Sequence, residues 1–173
     1  MMDDLKFATP SVAELEAIKA IYTEAFPIDE QRPWELLAAM SGEPVLHAIK
    51  RADEVIGMIS YWDFGKYVYI EHFAIAADKR NGGTGAKVLD EFARKIAKPL
   101  VLEAERPEDG NPMAERRIGF YRRHGFEILP YEYVQPPYAP GLASVPLHLM
   151  STDVLLDAEE IKNALHTKVY KAL

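Results

Sequence analysis

Six consecutive residues near the middle of the chain have the composition of a phosphate-binding loop. Arg80-Asn81-Gly82-Gly83-Thr84-Gly85 stands between an apolar stretch that predicts a strand and an amphipathic stretch that predicts a helix. Glycine adopts positive φ at little steric cost, so three glycines let the backbone approach a ligand closely. The first N–H groups of a helix lack helical partners and, together with the helix dipole, favour an anion. The pattern predicts a site for a diphosphate.

The alternative for this loop is a tight connection whose glycines only relieve strain. Two other phosphate-binding motifs do not match. A P-loop needs Gly-Lys-Ser/Thr at its end, whereas Gly85 is followed by Ala86-Lys87-Val88. A dinucleotide-binding motif needs Gly-x-Gly-x-x-Gly, and counted from Gly83 its third glycine position holds Val88.

The elements that must position this loop alternate between strand and helix periodicity, which predicts one α/β domain over residues 1–173. Before the loop we expect a strand at 5–8, a helix from 12 that Pro27 ends, a short helix around Trp34, and strands at 45–50, 55–62 and 67–76. After it we expect a helix at 86–97, a strand at 99–104, a helix that Asn111-Pro112 begins and Gly125 ends, strands at 126–134 and 146–150, and an amphipathic helix at 157–173.

Composition restricts the class of protein. Of the 173 residues, 49% are hydrophobic and 27% are charged, which is enough apolar material for a globular core. The formal net charge of -7 argues against binding to nucleic acid, which needs clustered Lys and Arg. The absence of cysteine excludes disulfides and thiolate metal ligands, and the five histidines lack paired metal-ligand spacing, so no metal is expected. Without a signal peptide pattern or a long apolar run, we expect a cytoplasmic protein that does not bind membranes.

Two motifs resemble the GNAT superfamily of N-acetyltransferases. The first is Arg80-x-x-Gly83-x-Gly85, which follows a long strand and matches the family signature Arg/Gln-x-x-Gly-x-Gly/Ala at every fixed position. The second is Phe120-Tyr121-Arg122-Arg123-His124-Gly125-Phe126, which is similar to the aromatic helix ending in Gly-Phe that lies downstream in the family. The resemblance covers residues 45–134, and Ala77 departs from the proline often found at its position.

The resemblance implies an α/β fold with a central, splayed, mostly antiparallel sheet flanked by helices, and acetyl-CoA bound in the gap between the long strand and the next. The pantetheine arm would pair with the backbone near Phe73 and Ile75, and the pyrophosphate would lie on residues Arg80 to Gly85. Asn111 matches a position where the family often contacts the CoA arm.

Acetyl transfer from a thioester needs a neutral amine, a stabilised oxyanion and a proton for the departing thiolate. Tyr121 matches the tyrosine of the family's Phe-Tyr motif, and its phenol is our candidate for the acid; an ordinary core tyrosine is the alternative. Because a free lysine-type amine has a pKa of about 10.4, a base or a water must remove its proton.

Glu71 is the candidate base, acting through a water. Alternation puts Glu71 on one face of its strand with Phe73 and Ile75, and His72 on the other face, where a structural role is expected. The alternatives are a substrate-orienting role or a plain ion pair for Glu71, with Glu103 on the neighbouring strand as the substitute base.

The expected acceptor is an amine-bearing small molecule or peptide. Its pocket would be walled by the first two helices, Tyr61-Trp62, Tyr133 and Tyr138. Their aromatic rings suit an apolar amine or a cation, and hydrophobic filling of the interior is the equal alternative. The rival hypotheses are a non-catalytic CoA-binding domain of the same fold and a protein-interaction domain that uses the acidic surface and the last helix. A monomer and a homodimer are both compatible with the sequence.

Overall fold

The computed structural model describes residues 4–171, apart from the side chain of Asp109. It has a mixed α/β fold with an open, mostly antiparallel sheet and flanking helices, as predicted. The described residues form two compact units that divide after Lys98, and we call them the N-terminal and the C-terminal unit. The expectation of a single domain stays a prediction.

The N-terminal unit contains a four-stranded antiparallel sheet in chain order, each strand paired with the next. Short turns join β2 to β3 and β3 to β4, so neighbouring strands run in opposite directions. The strands lie within two residues of their predicted positions. They are β1 (Leu5–Ala8), β2 (Val45–Arg51), β3 (Glu54–Asp63) and β4 (Val68–Ile75).

The helices of this unit are α1 (Val12–Ala25), α2 (Trp34–Ala38) and α3 (Thr84–Ile96). Ser11 begins α1, because its hydroxyl accepts from the Glu14 N–H while the Glu14 carboxylate accepts from the Ser11 N–H. Apolar residues of α1 and α2 pack on one face of the sheet and form the core there. That core contains Ile18, Ile21, Tyr22, Leu37, Leu46, Ala48, Met58 and Ala74.

The sheet of the C-terminal unit is built around β8 (Val145–Ser151). On one edge β8 pairs with β5 (Leu100–Glu105), and its other partners are β6 (Glu127–Ile128) and β7 (Tyr133–Gln135), all antiparallel. The sequence predicted one strand over 126–134, and this is wrong. The Tyr131 N–H bonds the Leu129 carbonyl in a tight turn, which separates β6 from β7.

Two helices complete this unit, α4 (Pro112–Arg123) and α5 (Ala158–Ala164). Gly125 follows α4 with φ 89°, as expected of a residue that ends a helix. The last helix begins as predicted, with Asp157 as its cap, but a π-helical turn follows at Leu165–Val169 and ends at Tyr170. The remaining predicted residues, 172–173, lie outside the described part of the chain. No helix within residues 4–171 is both long and apolar enough to cross a bilayer.

Candidate active site

The glycine-rich loop joins β4 to α3 after a 3₁₀ turn at Ala77–Lys79. Gly82 has φ 85° and Gly83 has φ 76°, so both lie in the left-handed region that the sequence predicted for them. The helix begins at Thr84, two residues earlier than predicted, which makes Thr84 and Gly85 the first helical residues. The residues from Arg80 to Gly83 are exposed, so the loop is open to a ligand.

The start of α3 differs from that of the other long helices in having no side-chain cap. A side chain accepts from backbone N–H groups at the start of α1, α4 and α5, and each of these helices carries an acidic residue in its first turn. The first turn of α3 has no acidic residue, and Gly83 precedes it. Its terminal N–H groups and the positive end of its dipole are therefore directed at whatever anion binds at the loop.

Arg80 braces the loop in the described structure. Its Nε donates to the Ile75 carbonyl at 2.9 Å, and its guanidinium pairs with Glu24 of α1. About half of each charged side chain is exposed, so this ion pair contributes at most about 1 kcal/mol. A bound phosphate can compete for Arg80 at that small cost.

The end of β4 is held by a close approach to β3. In this register Phe73 pairs with Ile59 and Ile75 pairs with Gly57. A Cβ on Gly57 would lie 2.6 Å from the Ala74 carbonyl oxygen, so only glycine fits there without displacing the backbone. The requirement for glycine at position 57 cannot be predicted from the local sequence, because it depends on the neighbouring strand.

A β-bulge at Glu71 overturns the predicted alternation along β4. Ser60 pairs with His72 and Tyr61 pairs with Ile70, which leaves Glu71 as the extra residue. Glu71 and His72 consequently both contact residues that precede α2, instead of facing opposite ways. The prediction that His72 faces away from Glu71 is wrong for this reason.

Glu71 is held by three donors. Trp62 Nε1 donates to Oε1 at 2.7 Å, Arg32 Nε donates to Oε2 at 3.1 Å, and Arg32 Nη2 donates to Oε1 at 3.4 Å. The Glu71 side chain is 0% exposed and that of Arg32 is 10% exposed, so this is a buried ion pair. The Arg32 guanidinium also lies 5.7 Å from the centre of the Trp62 ring. Arg32 was missed because nothing in its local sequence marks it.

The segment before α2 is fixed to α1 and β4 by Tyr22 and His72. The Arg32 N–H donates to the Tyr22 hydroxyl at 2.6 Å, and that hydroxyl lies 3.1 Å from the Arg32 carbonyl. His72 Nε2 lies 2.7 Å from the Glu30 carbonyl. Burial lowers the pKa of the His72 imidazole, which is therefore neutral at pH 7, and burial beside Glu71 raises the pKa of the Tyr22 phenol. These contacts fix Arg32 against Glu71.

Tyr121 lies on α4 among aromatic rings. Its ring centre is 5.4 Å from that of Phe120 and 5.5 Å from that of Phe126. Burial raises the pKa of the Tyr121 phenol, and the nearby charge of Arg117 opposes this rise. None of residues 4–171 hydrogen-bonds its hydroxyl. Tyr121 thus carries a proton at neutral pH that is not committed to an intramolecular bond.

Asn111 is the cap of α4. Its Oδ1 accepts from the Met113 N–H at 3.0 Å, and its Nδ2 donates to Glu105 at 3.0 Å. The side-chain amide therefore serves the start of the helix, so a contact from Asn111 to CoA would have to share these groups.

Glu103 on β5 is bound by two phenols. Tyr133 donates to its Oε2 at 2.5 Å, and Tyr170 donates to Oε1 and Oε2 at 2.7 and 2.8 Å. The sequence placed Tyr133 at a pocket wall and Tyr170 in the last helix, without linking either residue to Glu103. Within residues 4–171, no three or more His, Asp and Glu side chains converge as a metal site would require.

Comparison with known proteins identifies the family of this chain. Residues 42–128, half of the chain, match the family described as "Acetyltransferase (GNAT) domain". The chain is 32% identical over 135 residues to an L-methionine sulfoximine/L-methionine sulfone acetyltransferase of Pseudomonas aeruginosa, an alignment that covers 68% of this chain and 77% of that protein. It is 24% identical over 107 residues to a Bacillus subtilis protein named as an acetyltransferase, of which it spans about half the length, 54%.

A solved structure extends the similarity over nearly the whole chain. A Bacteroides thetaiotaomicron protein described as a GNAT-family acetyltransferase superposes with a TM-score of 0.85 and 38% sequence identity, covering 98% of this chain and 99% of that one. The chain belongs to the GNAT family of acetyltransferases.

Proposed function

We propose that this protein transfers an acetyl group from acetyl-CoA to the nitrogen of a primary amine by direct attack. The observation that carries the proposal is the start of α3, where two left-handed glycines precede a helix without a side-chain cap or an acidic first turn. Such a terminus suits a diphosphate. Membership of an acetyltransferase family supports acetyl-CoA as the molecule that bears it.

The residues proposed to hold the co-substrate are those of the loop and its surroundings. The N–H groups of Gly82 to Gly85 would bind the pyrophosphate, with Arg80, Asn81 and the Thr84 side chain beside them. Backbone groups of Phe73 and Ile75 and the amide of Asn111 are the proposed partners of the pantetheine arm. Acetyl-CoA supplies an activated thioester, so transfer forms the nitrogen–carbon bond to the amine, breaks the carbon–sulfur bond and leaves a thiolate.

Tyr121 is the proposed acid. Its raised pKa keeps the phenol protonated at neutral pH, so it can donate that proton to the thiolate as the carbon–sulfur bond breaks. Because none of residues 4–171 accepts this proton, its donation breaks no internal hydrogen bond. The protonated amine loses two protons, one to the base before it attacks and one as the amide forms, and the thiolate gains one from Tyr121. One of the two amine protons restores the Tyr121 phenol and the other is released to solvent, so the protons balance.

Glu71 is the proposed base, working through a water, and Glu103 is the substitute. The geometry makes the two carboxylates different. Glu71 is oriented by hydrogen bonds from the buried Arg32 guanidinium, whereas Glu103 accepts hydrogen bonds from the phenols of Tyr133 and Tyr170. The Arg32 pair therefore supports the orienting role that the sequence left open for Glu71, and the two carboxylates need a direct comparison.

We expect Glu71→Gln to lower kcat/KM for the amine by about 100-fold or more if Glu71 is the base. The kcat/KM of Glu103→Gln for the amine would then stay near that of the wild type. Because Glu71→Gln leaves Arg32 without its counter-charge, we also expect it to lower the free energy of unfolding by about 3 kcal/mol. Rates are therefore compared at a temperature where circular dichroism shows both variants folded. Glu71→Asp, which keeps the charge, should recover part of the rate.

The opposite pattern would move the base role to Glu103. A large loss in Glu103→Gln, with Glu71→Gln changing stability alone, would leave Glu71 as the partner that fixes Arg32. Full activity in both single variants and in the double variant would mean that water alone removes the proton.

The acceptor is proposed to be a small amine, since the Pseudomonas relative is named for two amino-acid analogues. A panel of primary amines, assayed by the release of free thiol from acetyl-CoA, tests this. Thiol release that depends on an amine, with an N-acetylated product identified by mass spectrometry, is the expected result. Binding of acetyl-CoA without turnover of any amine would favour a non-catalytic CoA-binding domain.

A further inference from the structure

An open surface depression of ≈ 380 Å³, which we call the cavity, lies in the C-terminal unit beside the proline-rich segment that follows β7. Pro136, Pro137, Tyr138 and Tyr170 line it with flat apolar surface, and the rings of the two tyrosines lie 4.9 Å apart at 56°. The loop that closes it is a tight turn, in which the Leu142 N–H donates to the Ala139 carbonyl. These surfaces suit a flat apolar group.

Charge lies on two sides of the cavity. Among the described residues that line it, Lys171 alone is charged. Tyr170 connects the cavity to the opposite charge, because its ring lines the cavity while its hydroxyl donates to both oxygens of Glu103. A molecule in the cavity would therefore contact the positive charge of Lys171 on one side. On the other side it would contact the ring of Tyr170, whose hydroxyl is hydrogen-bonded to the Glu103 carboxylate.

The π-helical turn is what places Tyr170 between the cavity and Glu103. The Tyr170 N–H donates to the Leu165 carbonyl at 3.1 Å, five residues earlier, so the turn is one residue wider than that of an α-helix. The buried residues Ile161, Leu165 and Val169 follow one another every four residues, and the wider turn brings Tyr170 into the interior beside them. Such single π turns occur frequently at functional sites.

We propose that this cavity binds the acceptor of the acetyl transfer, and that the acceptor is an α-amino acid with a flat apolar side chain. This inference rests on the proposed function. The carboxylate would pair with Lys171, the side chain would lie on Pro136, Pro137 and Tyr138, and the ammonium would lie over the ring of Tyr170, whose hydroxyl is bonded to Glu103. Tyr170 is then a specificity-determining residue.

The test is equilibrium binding, measured calorimetrically on the full chain without acetyl-CoA. The probes are L-phenylalanine, L-phenylalaninamide, which lacks the carboxylate, and L-alanine, which lacks the ring. We expect L-phenylalanine to bind about tenfold more tightly than either of the others, because each lacks one of the two contacts. Lys171→Gln should lower the affinity for L-phenylalanine to that for L-phenylalaninamide and should leave the affinity for the amide unchanged. Lys171→Arg should restore the affinity for L-phenylalanine. Lys168→Gln, on the same segment, is the control and should leave all three affinities unchanged.

A second variant tests the apolar wall. Tyr138→Ala should lower the affinities for L-phenylalanine and its amide equally, because both carry the ring. The affinity for L-alanine should stay unchanged. The inference is overturned if the amide binds as tightly as the acid, if Lys171→Gln changes nothing, or if no probe binds at millimolar concentration.

The outcome is separable from the proposed function. If acetyl-CoA stabilises the protein but no amino acid binds, the cavity is not the acceptor site, and the proposed acetyl transfer is unaffected. If L-phenylalanine binds but acetyl-CoA does not, the cavity is a ligand site without a role in acetyl transfer.

Discussion

Tyr121→Phe is expected to lower kcat by about 100-fold or more, because a general acid typically contributes 10²- to 10⁴-fold to the rate. The substitution removes one hydroxyl and keeps the ring that packs on Phe120 and Phe126. We therefore expect the dissociation constant for acetyl-CoA to stay within about twofold of the wild type. Steady-state kinetics combined with calorimetric binding of acetyl-CoA separate the two effects.

The pH dependence gives the same test a second readout. An acid must be protonated to act, and burial raises the pKa of Tyr121 above the ordinary value of a phenol, about 10. The alkaline fall in wild-type kcat due to Tyr121 should therefore have its midpoint above pH 10, and it should be absent from the residual rate of Tyr121→Phe. Tyr131→Phe, which removes a phenol from the same unit, is the matched control. A Tyr121→Phe protein with wild-type kcat across the pH range would remove Tyr121 from the mechanism.

Gly83→Val is expected to abolish detectable binding of acetyl-CoA, a loss of about 100-fold or more. Gly83 has φ 76°, where a β-branched residue is strained by about 1–3 kcal/mol. Within residues 4–171, no atom outside Gly83 and its two chain neighbours lies within 4 Å of a Cβ placed there, so the Cβ itself has room. The expected loss comes from relaxation of the strained loop away from the phosphate-binding conformation and from the methyl groups that then cover the start of α3.

A matched control separates the loop from simple strain. Gly65 has φ 85° in the turn between β3 and β4, and a Cβ there also meets nothing within 4 Å. Gly65→Val should therefore lose a similar amount of stability in urea unfolding and still bind acetyl-CoA normally. If both variants bind acetyl-CoA equally well, the loop assignment is wrong.

The elements that the sequence predicted well are those specified by local signals. The strand, glycine loop and helix around Arg80 depend on residues that are adjacent in the chain, and the positive φ of Gly82 and Gly83 follows from glycine itself. The predicted helix start at Asn111-Pro112 likewise depends on a cap that acts within two residues of its own position. Local chemistry of this kind is readable without knowing the fold.

The features that the sequence did not reveal depend on residues far apart in the chain. The bulge at Glu71 exists because β3 and β4 change register there, and strict alternation assumes that they do not. Arg32 reaches Glu71 across 39 positions of sequence, and Tyr170 reaches Glu103 across 67. The buried residues Ile161, Leu165 and Val169 keep a four-residue repeat through the π-helical turn, and this repeat by itself predicts an uninterrupted helix. These long-range contacts decide which roles the two carboxylates can take.

The central claim is that the loop before α3 binds acetyl-CoA, and the thermal stability of the purified protein with and without this molecule tests it most directly. A ligand that binds only the folded state, at about 100 times its dissociation constant, adds about 2.7 kcal/mol, which is several degrees in a domain of this size. We predict such a shift with acetyl-CoA and with CoA, and none with NAD or ATP. No shift at millimolar acetyl-CoA would contradict the account, whereas the fold would stand.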